Sequence, residues 1–319
     1  MEFLYLLEKI RNPVLDAFFS FVTLLGDETV FLGIAICILW CVSKRDGYYV
    51  LSVGLFGLVV NQVMKLTCAV PRPWVRDPDF TIVESAREAA HGYSFPSGHS
   101  QNATGTFGAV AVFAKPLWLK ITSVTVAALI IFSRLYLGVH TPADVLFSLG
   151  LGVILLVALR PLFASDERFE RFMPPILAVG VVLSILMTVY FECVPEAGLD
   201  PDNLLSARET AATLLGCIVG LVLVYTLDRL VLHFDTRAPW YAQIIKLAVG
   251  FAIVLLLKSL LKAPLGAIFE DDLIARAVRY FLIVLFAGGV WPLTFPYLAK
   301  MKIPALDRIG ERVKNKFYR

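Results

Sequence analysis

Long apolar blocks alternate with short polar stretches along almost the whole chain. A first group lies at 29–42, 48–66, 99–114, 120–137 and 143–159, and a second at 175–191, 210–231, 244–261 and 277–298. A bilayer core takes roughly 20 apolar residues of helix, so blocks of this length, extended by their flanks, read as membrane spans. The breaks carry turn chemistry. Lys44-Arg45-Asp46-Gly47 is a tight basic turn, Lys115-Pro116 closes one span, and His140-Thr141-Pro142 turns between two. Residues 1–26 are less regular: Glu8, Lys9 and Arg11 interrupt the first apolar run and Pro13 restarts it. Pro13 to Leu25 is short for a crossing, and the segment reads as an interfacial or half-inserted helical pair ending at Gly26.

Composition agrees with this pattern. Of 319 residues, 58% are hydrophobic and only 17% charged, and the mean hydropathy is +0.75. That is too apolar for a soluble domain of this length, so the expected class is an all-α, polytopic membrane helical bundle. The net charge of +3 is small and gives no support to a nucleic-acid partner. Its distribution says more. The loops at 44–45, 115–120, 160–171 and 229–237 are basic or mixed, as is the tail with Lys300, Lys302, Arg308, Arg312, Lys314, Lys316 and Arg319. They alternate with acidic loops at 192–209 and 263–273. Basic loops stay cytoplasmic, which puts the loops at 67–97 and 137–142 on the outer face and leaves the tail to touch anionic lipid. The five cysteines have no metal-site spacing, and a Cys68–Cys193 disulfide is conceivable but not the preferred reading. No removable signal peptide is evident at the N-terminus.

Three outer-face stretches carry chemistry. In Tyr93-Ser94-Phe95-Pro96-Ser97-Gly98-His99-Ser100, Ser97 reads as the N-cap of an apolar helix. The first N–H groups of that helix and its dipole can seat a phosphate, Gly98 allows close approach, and His99 adds a titratable group. The plain alternative is a capped helix with an incidental histidine. In Lys65 to Pro73, Lys65 closes a span and Arg72 stands between two prolines. They form either a two-cation phosphate clamp or a snorkelling lysine beside a surface arginine. In Ser133 to Asp144, Arg134 is a charge near the end of an apolar span and calls for an anion. Thr141 and Pro142 open the next helix, so Asp144 is a capping-box acid that can also orient the His140 ring. Together these residues suit phosphoryl transfer through a phosphohistidine.

The three stretches match K-x6-R-P, P-S-G-H and S-R-x5-H-x3-D, in order and complete. The chain therefore resembles the type 2 phosphatidic acid phosphatase (PAP2) superfamily over roughly residues 13–162. The resemblance implies a PAP2-type core over 1–165; the apolar pattern adds a transmembrane region with a basic cytoplasmic tail over 166–319, about four further helices on which the signatures are silent. The resemblance implies further that His140 is the nucleophile, Asp144 its orienting group and His99 the general acid. Lys65, Arg72, Ser97, Gly98 and Arg134 would bind phosphate. It also implies catalysis without metal or cofactor on the outer face of the cell membrane.

The expected substrate is a lipid phosphate or diphosphate, with polyprenyl diphosphate first and phosphatidic acid or phosphatidylglycerophosphate behind it. A membrane phosphatase or phosphotransferase for a soluble sugar phosphate is the alternative within enzymes, and a lipid transporter the alternative outside them. The later spans could widen a lipid groove, join copies in a homo-oligomer, or host a second function. His91 reads as a surface residue rather than an entrance or metal ligand with His99, His140 and Glu84 or Glu88.

Overall fold

The computed structural model describes residues 1–88, 90 and 92–308, and among these the chain is helical with no strand. Its main helices are α1 (Glu2–Glu8), α2 (Pro13–Leu24), α3 (Glu28–Cys41) and α4 (Lys44–Cys68). Gly98–Ala103, the π-helical Thr104–Gly108 and Ala109–Phe113 run on as one helix, α5. Then come α6 (Leu117–Tyr136), α7 (Pro142–Leu159), α8 (Asp166–Cys193), α9 (Pro201–Leu227), α10 (Trp240–Leu260) and α11 (Asp272–Leu285). Seven helices are long and apolar enough to cross a membrane, and the pair α2 and α3, bent by 49°, makes an eighth if it is one span. Each apolar block falls on a helix, including four after residue 165, but the block at 99–114, expected as a span, is the shorter α5 and is not among the helices long enough to cross. Cys68 and Cys193 are exposed and unbonded.

The residues form two compact units. The first holds Met1–Ala35 and Tyr48–Ala211; the second holds Ile36–Gly47 and the chain from Ala212 on. In the first unit, α1 and α2 pack on α6. Leu4 and Leu7 bury with Phe80, Ile82, Leu135 and Val145, while Phe19 buries with Tyr136, Leu137 and Val139. The helical pair expected at the interface therefore serves as a prop. Arg11, between its two helices, donates from Nε to the Tyr136 carbonyl at 3.1 Å and from Nη1 to the Thr81 carbonyl at 2.7 Å. Gly138 lies against it in the left-handed region (φ +81°), where any Cβ would strike the Arg11 guanidinium and Phe80. These contacts fix the turn 137–141 that carries His140.

The second unit is closed by aromatic and small-residue packing. Trp40 is fully buried and donates to the Ala287 carbonyl at 3.0 Å. Gly216 and Gly220 lie against the backbone of α11, as small residues do where membrane helices approach closely. Lys44 pairs with Asp228 at 2.7 Å.

Candidate active site

The C-terminal end of α4, the N-terminal end of α5 and the turn between α6 and α7 meet at one end of the first unit, around a cavity of about 250 Å³. Lys65, Arg72, Gly98, His99, Arg134 and His140 all border it.

Lys65 occupies the last turn of α4 and donates to the Tyr93 carbonyl at 2.8 Å. Arg72 is only 6% exposed and stands just before the short helix Pro73–Arg76. Its Nε donates to the Gly92 carbonyl (2.9 Å) and its Nη1 to the Val139 carbonyl (2.9 Å). Two of the loop carbonyls thus hold the two cations. Arg134, fully buried near the end of α6, donates from Nη1 to Thr23 Oγ1 at 2.6 Å, while its Nε has no protein acceptor. A buried guanidinium N–H without a partner is costly, and a phosphate oxygen in the cavity would answer it.

Ser97 caps α5 as its place before the helix predicts: its hydroxyl accepts from the Ser100 N–H (3.3 Å) and the Ser100 hydroxyl (2.9 Å). The Ser97 N–H donates to the Asp144 carbonyl at 3.2 Å, locking the start of α5 to α7. Ser97 itself is buried and does not line the cavity. A Cβ built on Gly98 would meet nothing within 4 Å, so the backbone there opens onto free space.

Asp144 fills both of the roles its position allows. Its Oδ2 accepts from the Thr141 N–H at 2.8 Å, the acid half of a capping box. The same oxygen accepts from Ser94 Oγ at 2.6 Å and lies 3.3 Å from His140 Nδ1. Asp144 is acceptor-only when ionised, so Nδ1 carries the ring proton and Nε2 the lone pair. Nε2 in turn accepts from Arg72 Nη1 at 2.9 Å. Burial, then the positive charges of Arg72, Arg134 and Lys65, hold the His140 imidazole well below its ordinary pKa. The ring is therefore neutral near pH 7, as a nucleophile must be.

Several contributors carry no motif in the sequence. Ser94 donates to Asp144 and sits inside the stretch Tyr93–Ser100, where a buried hydroxyl partner could have been sought. Thr23 reaches Arg134 from α2. Asn203, Ser206 and Ala207, in the first turns of α9, line the cavity. The Asp200 N–H just before them donates to the Tyr93 hydroxyl at 3.0 Å. His91 lies outside the described residues. Glu84 pairs with Arg87 at 2.7 Å, and among the described residues no group of three or more His, Cys, Asp or Glu side chains converges as a metal site.

The sequence profile of the PAP2 superfamily matches residues 47–167. A second profile, described as the PAP2 superfamily phosphatase transmembrane extension, matches residues 210–302. Residues 201–207, which wall the cavity, fall between the two. The phosphatidylglycerophosphatase B of Bacillus subtilis is 31% identical over 51% of this chain and 81% of its own length. The undecaprenyl-diphosphatase BcrC of the same organism is 31% identical over 46% of this chain and 73% of its own. A probable sphingosine-1-phosphate phosphatase of Dictyostelium discoideum is 27% identical over 56% of this chain, which spans only 43% of that protein.

Proposed function

The chain belongs to the PAP2 superfamily, and from that premise we propose that it removes the terminal phosphate of a membrane lipid through a phosphohistidine. One observation carries the reading: His140 Nδ1 faces the Asp144 carboxylate while Nε2 faces a cavity bordered by three cations and His99.

In the first step the Nε2 lone pair attacks phosphorus and the bond from phosphorus to the ester or anhydride oxygen breaks. His99, whose charged form burial and the cations Arg134, Arg72 and Lys65 disfavour until the negative phosphate offsets them, gives its proton to that leaving oxygen, and Asp144 stabilises the charge that appears on the His140 ring. In the second step His99 takes a proton from water, whose oxygen displaces His140 and completes inorganic phosphate. Arg72 must hand its Nη1 contact from Nε2 to a phosphate oxygen before attack. This couples substrate binding to release of the nucleophile. Lys65, Arg134 and the N–H groups at Gly98 take the remaining oxygens, where the transition state spreads its charge. Ser97 acts through its cap rather than by direct contact. No step calls for a metal or cofactor.

The tail of the substrate stays in the bilayer while the site lies at the helix ends opposite the basic loops 44–45, 115–120 and 160–171. By the positive-inside argument this is the outer face of the cell membrane. The relatives bear the names of a diphosphatase, a phosphatidylglycerophosphatase and a sphingoid phosphate phosphatase, and all three substrates join a phosphate to a long tail.

The test is phosphate release by purified protein in detergent with EDTA, against long-tailed and soluble phosphates, with His140→Ala in parallel. Release from a lipid, insensitive to EDTA and lost in the variant, is expected. Release that survives His140→Ala would break the mechanism. Release confined to soluble sugar phosphates would favour the water-soluble branch.

A further inference from the structure

Two carboxamides beneath the cations take no part in the scheme above. Asn61 lies one turn before Lys65 on α4, and Gln101 one turn after Ser97 on α5. Both border the cavity, yet they are only 1% and 3% exposed. Neither the nitrogen nor the oxygen of either amide has a hydrogen-bond partner. Buried polar atoms are nearly always paired, and one that is not calls for an explanation. Two hydroxyls in these helices are answered locally, Ser52 donating back to Tyr48 and Thr104 back to Ser100, whereas Thr106 Oγ1 on α5 shares the amides' lack of a partner but does not border the cavity. The fold also makes room for Gln101. Its amide sits where a Cβ on Gly57 would collide with it, and Gly152 leaves it free on the α7 side.

What could satisfy both amides is decided by donor count. Each presents an NH₂ group and a carbonyl oxygen, whichever way it is turned. Ionised phosphate and diphosphate oxygens only accept, so they would answer the NH₂ groups and leave two buried carbonyls bare. A hydroxyl both donates and accepts, and an ammonium or amine donates. Asn61 stands one helical turn, about 5.4 Å, from Lys65 on α4, while the Gln101 amide lies deeper, at the level of Gly57, two turns from Lys65. The first depth is the reach of a substituent one or two carbons from the phosphate oxygen, and the second that of one a few carbons further.

We infer that Asn61 and Gln101 form a subsite that reads a hydroxyl or amino group carried next to the phosphate on the lipid. The inference rests on the phosphatase reading and narrows it. Among lipid substrates the site favours a phosphomonoester of a glycerol-type or amino-alcohol headgroup over a polyprenyl diphosphate, which has no such donor. This reverses the order expected from the sequence.

The experiment compares kcat/KM for hexadecyl phosphate and 2-hydroxyhexadecyl phosphate in detergent, in the full chain and in three variants. Asn61→Leu and Gln101→Met remove the amides; Gly57→Ala leaves both amides in the sequence but displaces Gln101. Each variant is first shown to unfold in one cooperative transition. The full chain should prefer the hydroxylated ester by about 10- to 100-fold, since leaving buried polar groups unpaired against the plain ester costs that much. In all three variants the ratio should fall toward one. An equal rate on both esters in the full chain, or a ratio unchanged by the variants, would overturn the subsite and assign the amides to ordered water. Release from a polyprenyl diphosphate but from neither ester would overturn the subsite and leave the phosphatase reading standing, whereas release from none of the three substrates would bring down the phosphatase reading itself.

Discussion

Asp144→Asn separates the structural role of this carboxylate from its chemical one. In the native chain one oxygen takes the Thr141 N–H, the Ser94 hydroxyl and the His140 Nδ1–H, and both Asp144 and His140 are 2% exposed. At the third helical position of this capping box an amide oxygen can accept as a carboxylate oxygen does, so the asparagine carbonyl can keep the Thr141 and Ser94 bonds. The stability cost should therefore be about 1 kcal/mol, the difference between charge-assisted and neutral hydrogen bonds. The chemical cost is larger. The neutral amide, whose carbonyl must take the place of Oδ2 to keep these bonds, no longer stabilises a positive His140 ring. A comparable exchange beside a catalytic histidine costs up to about 10⁴-fold, so a fall in kcat/KM of about 10² to 10⁴ is expected, or about 2.7–5.4 kcal/mol of barrier. Asp144→Ala is the control: it strips the buried Thr141, Ser94 and His140 donors of their acceptor, at about 1–3 kcal/mol for each. It should lower the melting temperature far more than Asp144→Asn while damaging activity as badly. Phosphate-release kinetics and thermal unfolding in detergent measure both quantities. If Asp144→Asn kept more than about a tenth of native kcat/KM while folded, the carboxylate would be a helix cap and no more.

Two further outcomes follow from the same geometry. The environment of His140 disfavours its charged form, so protonation, which silences Nε2, should come below the ordinary histidine value of about 6.5. The acid limb of log kcat/KM against pH should bend below that value; a bend above it would contradict the arrangement of cations around the ring. Gly98→Ala should fold normally, with a stability change within about 0.5 kcal/mol, because its methyl would meet open space. The same methyl stands where a phosphate must approach the backbone, so KM should rise at least tenfold; an unchanged KM would move the phosphate elsewhere in the cavity.

What could be read from the chain followed the range of each interaction. Spans and their order were legible because membrane insertion depends on local hydropathy, although the helices after residue 165 start four to nine residues before their apolar blocks, where polar or mixed first turns carry little hydropathy signal. The three signatures were legible because each lies within a dozen residues of one helix end, where capping rules apply. Asp144 shows the limit of that. Its cap role follows from spacing within one turn, but its hold on His140 also draws on Ser94, 50 residues away. The terminal helical pair was harder still. Its length says only that it is too short to cross; that Arg11 grips the carbonyls of residues 81 and 136 depends on packing across 70 and 125 residues. Asn61 and Gln101 lay beyond reach for a different reason. A lone amide in an apolar helix usually finds a neighbour, and only with every surrounding atom placed does the lack of one appear. Deleting such an amide should stabilise the fold if it has no ligand, because an apolar side chain of similar shape removes a buried unpaired group. A rise in melting temperature for Asn61→Leu, together with loss of discrimination between the two esters, would show stability given up at this position for recognition.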